Sequence, residues 1–174
     1  MKFLRFFVLA LLVTSCASIN VNYDYDKSID FTKYKTYHYY RDLDTGLSAL
    51  DAKRLLSALD MAMQAKGFTL SETPDIFINI TSEEFENLNR NNVGIGVGGT
   101  GRNVGGGVSI GLPVGQSRFS RQIVFEFVDE NGVGLIWEAI SESRYNPNAT
   151  PERREADLRA IVTKVIDGFP PKGK

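Results

Sequence analysis

Two apolar runs, residues 123–128 and 135–140, flank the stretch DENGVG, which holds two glycines and an Asn-Gly pair. Extended segments joined by so short and turn-rich a link fold back on each other as an antiparallel hairpin. A hairpin alone cannot hide its apolar side, so this one commits the rest of the chain to covering it. Phe125, Phe127 and Trp137 lie in these runs, and their bulk marks them as core.

The cover is legible on both sides. Ser48 with Asp51 three residues on reads as a capping box, and Ala52, Leu55, Leu56, Leu59 and Met63 then recur at helical spacing up to Lys66-Gly67, where glycine takes the left-handed position. A second helix starts at Thr150-Pro151, a cap followed by a first-turn proline, carries Leu158, Ile161, Val162 and Val165 on one stripe, and stops at Gly168 and Pro170-Pro171. Three further segments read as strands. INVNYDYD alternates Val21, Tyr23 and Tyr25 with Asn22, Asp24 and Asp26; YKTYHYY is aromatic and β-branched; DIFINIT puts Ile76, Ile78 and Ile80 on one face. KSIDFTK turns the chain between the first two, and SEEFENLNRNN, residues 82–92, reads as an acidic linker. The order strand, strand, helix, strand, hairpin, helix predicts an α+β fold of two layers, a largely antiparallel sheet covered on one face by two helices.

The N-terminus reads MKFLRFFVLALLVTSCAS. Lys2 and Arg5, an apolar run over 6–13 and small residues after it make the three parts of a secretory signal, too short for a permanent span of roughly 20 apolar residues. Its end, Val13-Thr14-Ser15-Cys16, resembles the bacterial lipobox. That resemblance implies a signal peptide over 1–15, a diacylglycerol on the Cys16 thiol, cleavage before it and acylation of the new amino terminus. Each buried methylene contributes about 0.8 kcal/mol, so several acyl chains hold a protein on a membrane nearly irreversibly. Ala17 rather than Asp follows the cysteine, which by the enteric sorting rule favours the outer membrane, facing the periplasm.

Cys16 is the sole cysteine, so the domain over 16–174 has no disulfide and depends on packing. Removing Lys2 and Arg5 from the 20 basic residues leaves 18 against 21 acidic ones, a net charge of −3. No run of Lys and Arg is present, which argues against nucleic acid as a partner. About 159 residues suffice for one domain, and no repeat or charge block divides them.

Taken in order, DFTKYKTYHYY, LLSALDMAMQAKGF, PDIFINI, DENGVGLIWEAISES and IVTKVIDGFPP, with the lipobox ahead of them, resemble the bacterial lipoproteins that share domain of unknown function (DUF) 4136. The resemblance covers nearly the whole chain. Glu138-Ala139 stands where relatives often have a glycine, and the glycine-rich segment is longer than usual. The family implies an envelope lipoprotein without an assigned activity.

That segment, VGIGVGGTGRNVGGGVSIGLPVG over 93–115, satisfies G-x-G-x-x-G twice, from Gly94 and from Gly96. A dinucleotide site needs a helix starting at the glycines, and Gly105, Gly106, Gly107 and Pro113 forbid one; no Gly-Lys-Ser/Thr follows for a P-loop. Val93, Ile95, Val97 and Val108, Ile110, Leu112 alternate instead, which predicts a loop or hairpin projecting from the sheet, with no nucleotide or other cofactor.

His38 is the sole histidine and lies in an aromatic strand without metal-ligand or triad partners. Asp24 and Asp26, like Glu83, Glu84 and Glu86, read as solvated faces rather than as a cation site, and no metal is expected. Tyr34, Tyr37, Tyr39 and Tyr40 fall at both parities of their strand, which predicts aromatic surface on one sheet face and a candidate binding site there. The expected function is a non-enzymatic envelope module for interaction or assembly, tethered to the membrane through Cys16 and meeting an envelope protein. The alternative is a small-ligand or glycan binder that uses the tyrosine-rich face.

Overall fold

The computed structural model describes residues 19–87 and 118–171. Strands β1 (Asn20–Tyr25), β2 (Thr36–Tyr39), β3 (Thr69–Leu70), β4 (Ile76–Asn87), β5 (Arg118–Asp129) and β6 (Gly134–Tyr145) form one sheet in the order β1-β6-β5-β4-β2-β3. Helices α1 (Ala49–Ala65) and α2 (Pro151–Asp167) pack on one face, giving the expected α+β architecture. Pairing from β1 through β6 and β5 to β4 is antiparallel. β2 is parallel to both β4 and β3, because α1 carries the chain back over the sheet between them.

The hairpin is the centre of the core. Its ladder shifts register between Phe127 and Val128: Phe127 faces Trp137 while Val128 faces Leu135, so Ile136 is the extra residue of a β-bulge. The bulge turns two successive side chains inward. Ile136 and Trp137 are both buried, and Leu135 is left half exposed. Phe169, just past α2, closes over them, its ring centroid 4.5 Å from Phe127 and 5.2 Å from Trp137. The helices contribute Leu55, Leu59 and Met63 from α1 and Leu158, Ile161, Val162, Val165 and Ile166 from α2, all buried in one cluster with Ile76, Ile78 and Ile80 of β4. Each such apolar side chain contributes about 1.5–3 kcal/mol when fully buried. Ala52 and Leu56, at the edge of the α1 stripe, are only half buried.

Both helices start and end where their caps predict. Ser48 Oγ accepts from the Asp51 N–H and Thr150 Oγ1 from the Arg153 N–H, while Gly67 takes φ +89° after α1. One capping expectation changes. The Asp51 carboxylate does not reach back to Ser48 but is buried and bonded to two arginines.

The acidic stretch over 82–92 is not a linker in its first half. Residues up to Asn87 continue β4 and pair one for one with β5 down to Arg118. Backbone pairing, not burial, holds this part, with Glu84 on Arg121, so no apolar alternation marks it in the sequence. Gly46, ahead of α1, lies against the same strand: its φ is +67°, and a Cβ there would come within 2.7 Å of the Ser82 carbonyl oxygen.

Candidate functional site

The four tyrosines do not make one exposed surface. Tyr34 and Tyr37 are buried in the core, so the expected tyrosine-rich binding face is corrected. Tyr34 donates to Asp129 Oδ2 at 2.9 Å. Tyr37 and Tyr39 share the helix side of β2 and both donate to Asp60 Oδ1 on α1, at 2.8 and 2.7 Å. Burial first, then the Asp60 carboxylate, pushes both phenols far above their ordinary range, so they are fixed donors. Tyr40, just past the end of β2, packs on Phe77. An aromatic residue at each position of a strand reads as two aromatic faces, but here two of the hydroxyls satisfy one helix carboxylate.

His38 is part-buried, with Nδ1 2.8 Å from the Tyr39 carbonyl oxygen and Nε2 3.8 Å from Glu72. Among the described residues no group of three His, Cys, Asp or Glu side chains is placed to hold a metal ion. Cys16 and the glycine-rich segment over 93–115 lie outside the described residues.

The charged side chains that the sequence scatters are brought together at the opposite end of the hairpin from Trp137. Asp51, 1 % exposed, receives Arg54 Nη1 at 2.6 Å and Arg154 Nη1 at 2.8 Å, one arginine from each helix. Burial by itself would raise this carboxyl; the hydrogen bonds from Arg54 and Arg154 outweigh it and hold its pKa below the usual range. Arg154 also donates to the carbonyls of Ala149 and Pro147, which fixes the turn before α2. Arg121, 6 % exposed, donates through Nη2 to Glu84 at 2.7 Å, and its guanidinium lies 3.7 Å from the centroid of the Tyr145 ring. Its Nε has no acceptor. Stacking on the aromatic face offsets part of the cost of burying that cation.

Beside this cluster a cleft of about 420 Å³ opens between α2 and the end of β6. Leu158, Ile161 and Ile19 give it apolar walls; Arg121, Arg144, Arg153, Arg154 and Lys164 line it with cations, and Asp157 is the one carboxylate in the lining. Arg153 engages Asp157 at 3.0 Å. Lys164 Nζ donates to the Ile19 carbonyl, and the Tyr23 hydroxyl donates to the Lys164 carbonyl at 2.5 Å, so the start of β1 is fastened to α2 at the cleft edge. The sequence offered no signal for this site, because its cations come from four separate stretches, at 121, 144, 153–154 and 164.

Sheet, helix layer and the ionic end with its basic cleft define a two-layer α+β domain of the lineage that the motif order indicates. The chain belongs to the family Domain of unknown function (DUF4136), whose model matches residues 21–171. No curated protein matches it. Among solved structures it is similar to a PDZ domain protein from Parabacteroides distasonis, at 12 % identity and a TM-score of 0.59, over 96 % of this chain and 40 % of that one. The chain thus spans well under half the length of that protein. It is also similar to PelC from Paraburkholderia phytofirmans, solved as a dodecamer, at 10 % identity and a TM-score of 0.50, over 86 % of this chain and 95 % of PelC. At these identities the likeness is one of fold.

Proposed function

We propose that this protein is a lipid-anchored component of the bacterial envelope, held through Cys16 at the outer membrane facing the periplasm, whose domain serves as a non-enzymatic module for interaction or assembly. The observation that carries the reading is the likeness to PelC across nearly the whole of both chains, since that fold works there as the repeating unit of a dodecamer. The sequence supports the anchor: Val13-Thr14-Ser15-Cys16 supplies the lipidation signal and the chain has no other cysteine. No described helix is long and apolar enough to cross a membrane.

The test has two arms. In intact cells, metabolic labelling with an alkyne fatty acid marks the wild-type protein and not Cys16→Ala. Crosslinking followed by capture of the wild type returns either multiples of this chain or a stoichiometric envelope protein. A protein that stays monomeric by light scattering at every concentration, and crosslinks to nothing in the envelope, overturns the assembly reading whatever the outcome at Cys16.

A further inference from the structure

We propose that the basic cleft between α2 and the end of β6 seats the phosphate headgroup of a lipid in the leaflet that carries the anchor. This rests on the reading of Cys16 as the lipidated residue. The tether decides which surface meets the membrane. Only Ala17 and Ser18 separate Cys16 from Ile19, and the three residue steps of an extended chain reach no more than about 11 Å. Ile19 is fastened to the domain, its carbonyl accepting from Lys164 and the β1 ladder beginning at the next residue. A short tether on a fixed origin leaves the domain little freedom to turn, so whatever surrounds Ile19 faces the headgroups.

What surrounds Ile19 is the cleft. Its lining sets five cations against the single carboxylate of Asp157. Arg121, Arg153 and Arg154 are paired with Glu84, Asp157 and Asp51, whereas Arg144 and Lys164 have no carboxylate partner among the described residues. Arg121 is over nine-tenths buried and keeps an unpartnered Nε. Cations over an apolar floor match a phosphate joined to a glycerol and acyl stem. The rest of the domain is charged the other way. Asp24, Glu138 and Glu126 stand in one row across β1, β6 and β5, on the face that the helices leave open. A domain of net charge −3 therefore approaches an anionic surface cleft first, with the acidic face turned away.

The experiment uses the mature chain, residues 16–174, made without its leader and so without lipid; every core residue lies within 34–169, so this chain carries the whole core. Sedimentation with vesicles of phosphatidylcholine, with and without phosphatidylglycerol, reads binding. The expected result is sedimentation only with the anionic vesicles, lost on adding salt. Each lost cation weakens it about fivefold, so the reversals Arg153→Glu and Lys164→Glu weaken it more, and Glu138→Gln on the open face leaves it intact. Unchanged thermal melts show that these variants fold. Equal binding by Lys164→Glu and Arg153→Glu overturns the site. Absence of sedimentation with the anionic vesicles overturns the lipid, and a melting temperature raised by inorganic phosphate in that case marks a soluble phosphate as the occupant instead. Failure of fatty-acid labelling at Cys16 with vesicle binding intact overturns the anchor and not the cleft.

Discussion

Near its turn, the β5–β6 hairpin buries Phe127, Ile136 and Trp137 against Phe169, and the buried charge at this end is Asp129, which accepts from the Tyr34 hydroxyl. At its other end the same two strands bury Arg121 and Ser143, against Tyr145 and close to the Asp51 ion pairs. The first end gains from apolar area removed from water, at the cost of one donor, Trp137 Nε1, buried without an acceptor. The second must offset the desolvation of a carboxylate and a guanidinium through hydrogen bonds whose geometry is tight, and one nitrogen is left without a partner. A sheet under selection for stability alone has no need of the second arrangement. Its position beside a basic cleft places the cost where a ligand could use it.

Substitutions separate the two ends. The largest effect is expected for Trp137→Ala, about 3–5 kcal/mol lost in denaturant unfolding, as for other large aromatic truncations in cores. Native emission from this sole tryptophan should be blue-shifted, and a solvent-like maximum would contradict its burial.

Asp51→Asn should cost about 3 kcal/mol, because it leaves Arg54 and Arg154 without their shared counter-charge. The effect carries a pH signature. A carboxyl depressed in the folded state stabilises above its ordinary value of about 3.9 and loses that stabilisation as pH falls through the folded value. The gap between wild type and Asp51→Asn should therefore be constant near neutral pH and close below about pH 4. A gap that persists in acid would mean that packing, not charge, distinguishes the two.

Smaller changes sharpen the contrast. Trp137 Nε1 is buried without an acceptor, so Trp137→Phe removes an unsatisfied donor along with volume and should cost only about 1 kcal/mol. Arg121→Met keeps much of the shape and drops the charge, while Glu84, 46 % exposed, can return to water. Its melting temperature should match or slightly exceed that of the wild type. Clear destabilisation by Arg121→Met would show that the ionic end is as stabilising as the aromatic one.

The aromatic end was legible in the sequence, and the ionic end was not. Alternation in 123–128 and 135–140 marks a buried strand face, and the stripes of α1 and α2 mark what covers it, so those residues announce their partners by period alone. The bulge at Ile136 was invisible, since an extra apolar residue in an apolar run does not disturb the pattern. Asp51 sat where a capping residue belongs, and only the approach of Arg154 from 103 residues away shows its other use. The tyrosines of β2 misled for a related reason. Period 2 gives the side of the sheet but not what lies above it, and here Asp60 on α1 takes two of the hydroxyls. Arg121, Arg153 and Lys164 form no run, so nothing in the sequence singles them out.

The extension of β4 to Asn87, paired with Arg118, has a consequence for how this chain can vary in length. Whatever joins them, 30 residues over 88–117, leaves and re-enters the sheet at facing positions of an antiparallel pair, about 5 Å apart. Closing a loop between such fixed points costs only about 0.6 kcal/mol more each time its length doubles. Insertions and deletions between 88 and 117 can therefore accumulate while the register of β4 on β5 stays as it is. The ladder acts as a clasp, and a tag or a whole foreign module spliced in there would be presented at one end of the sheet.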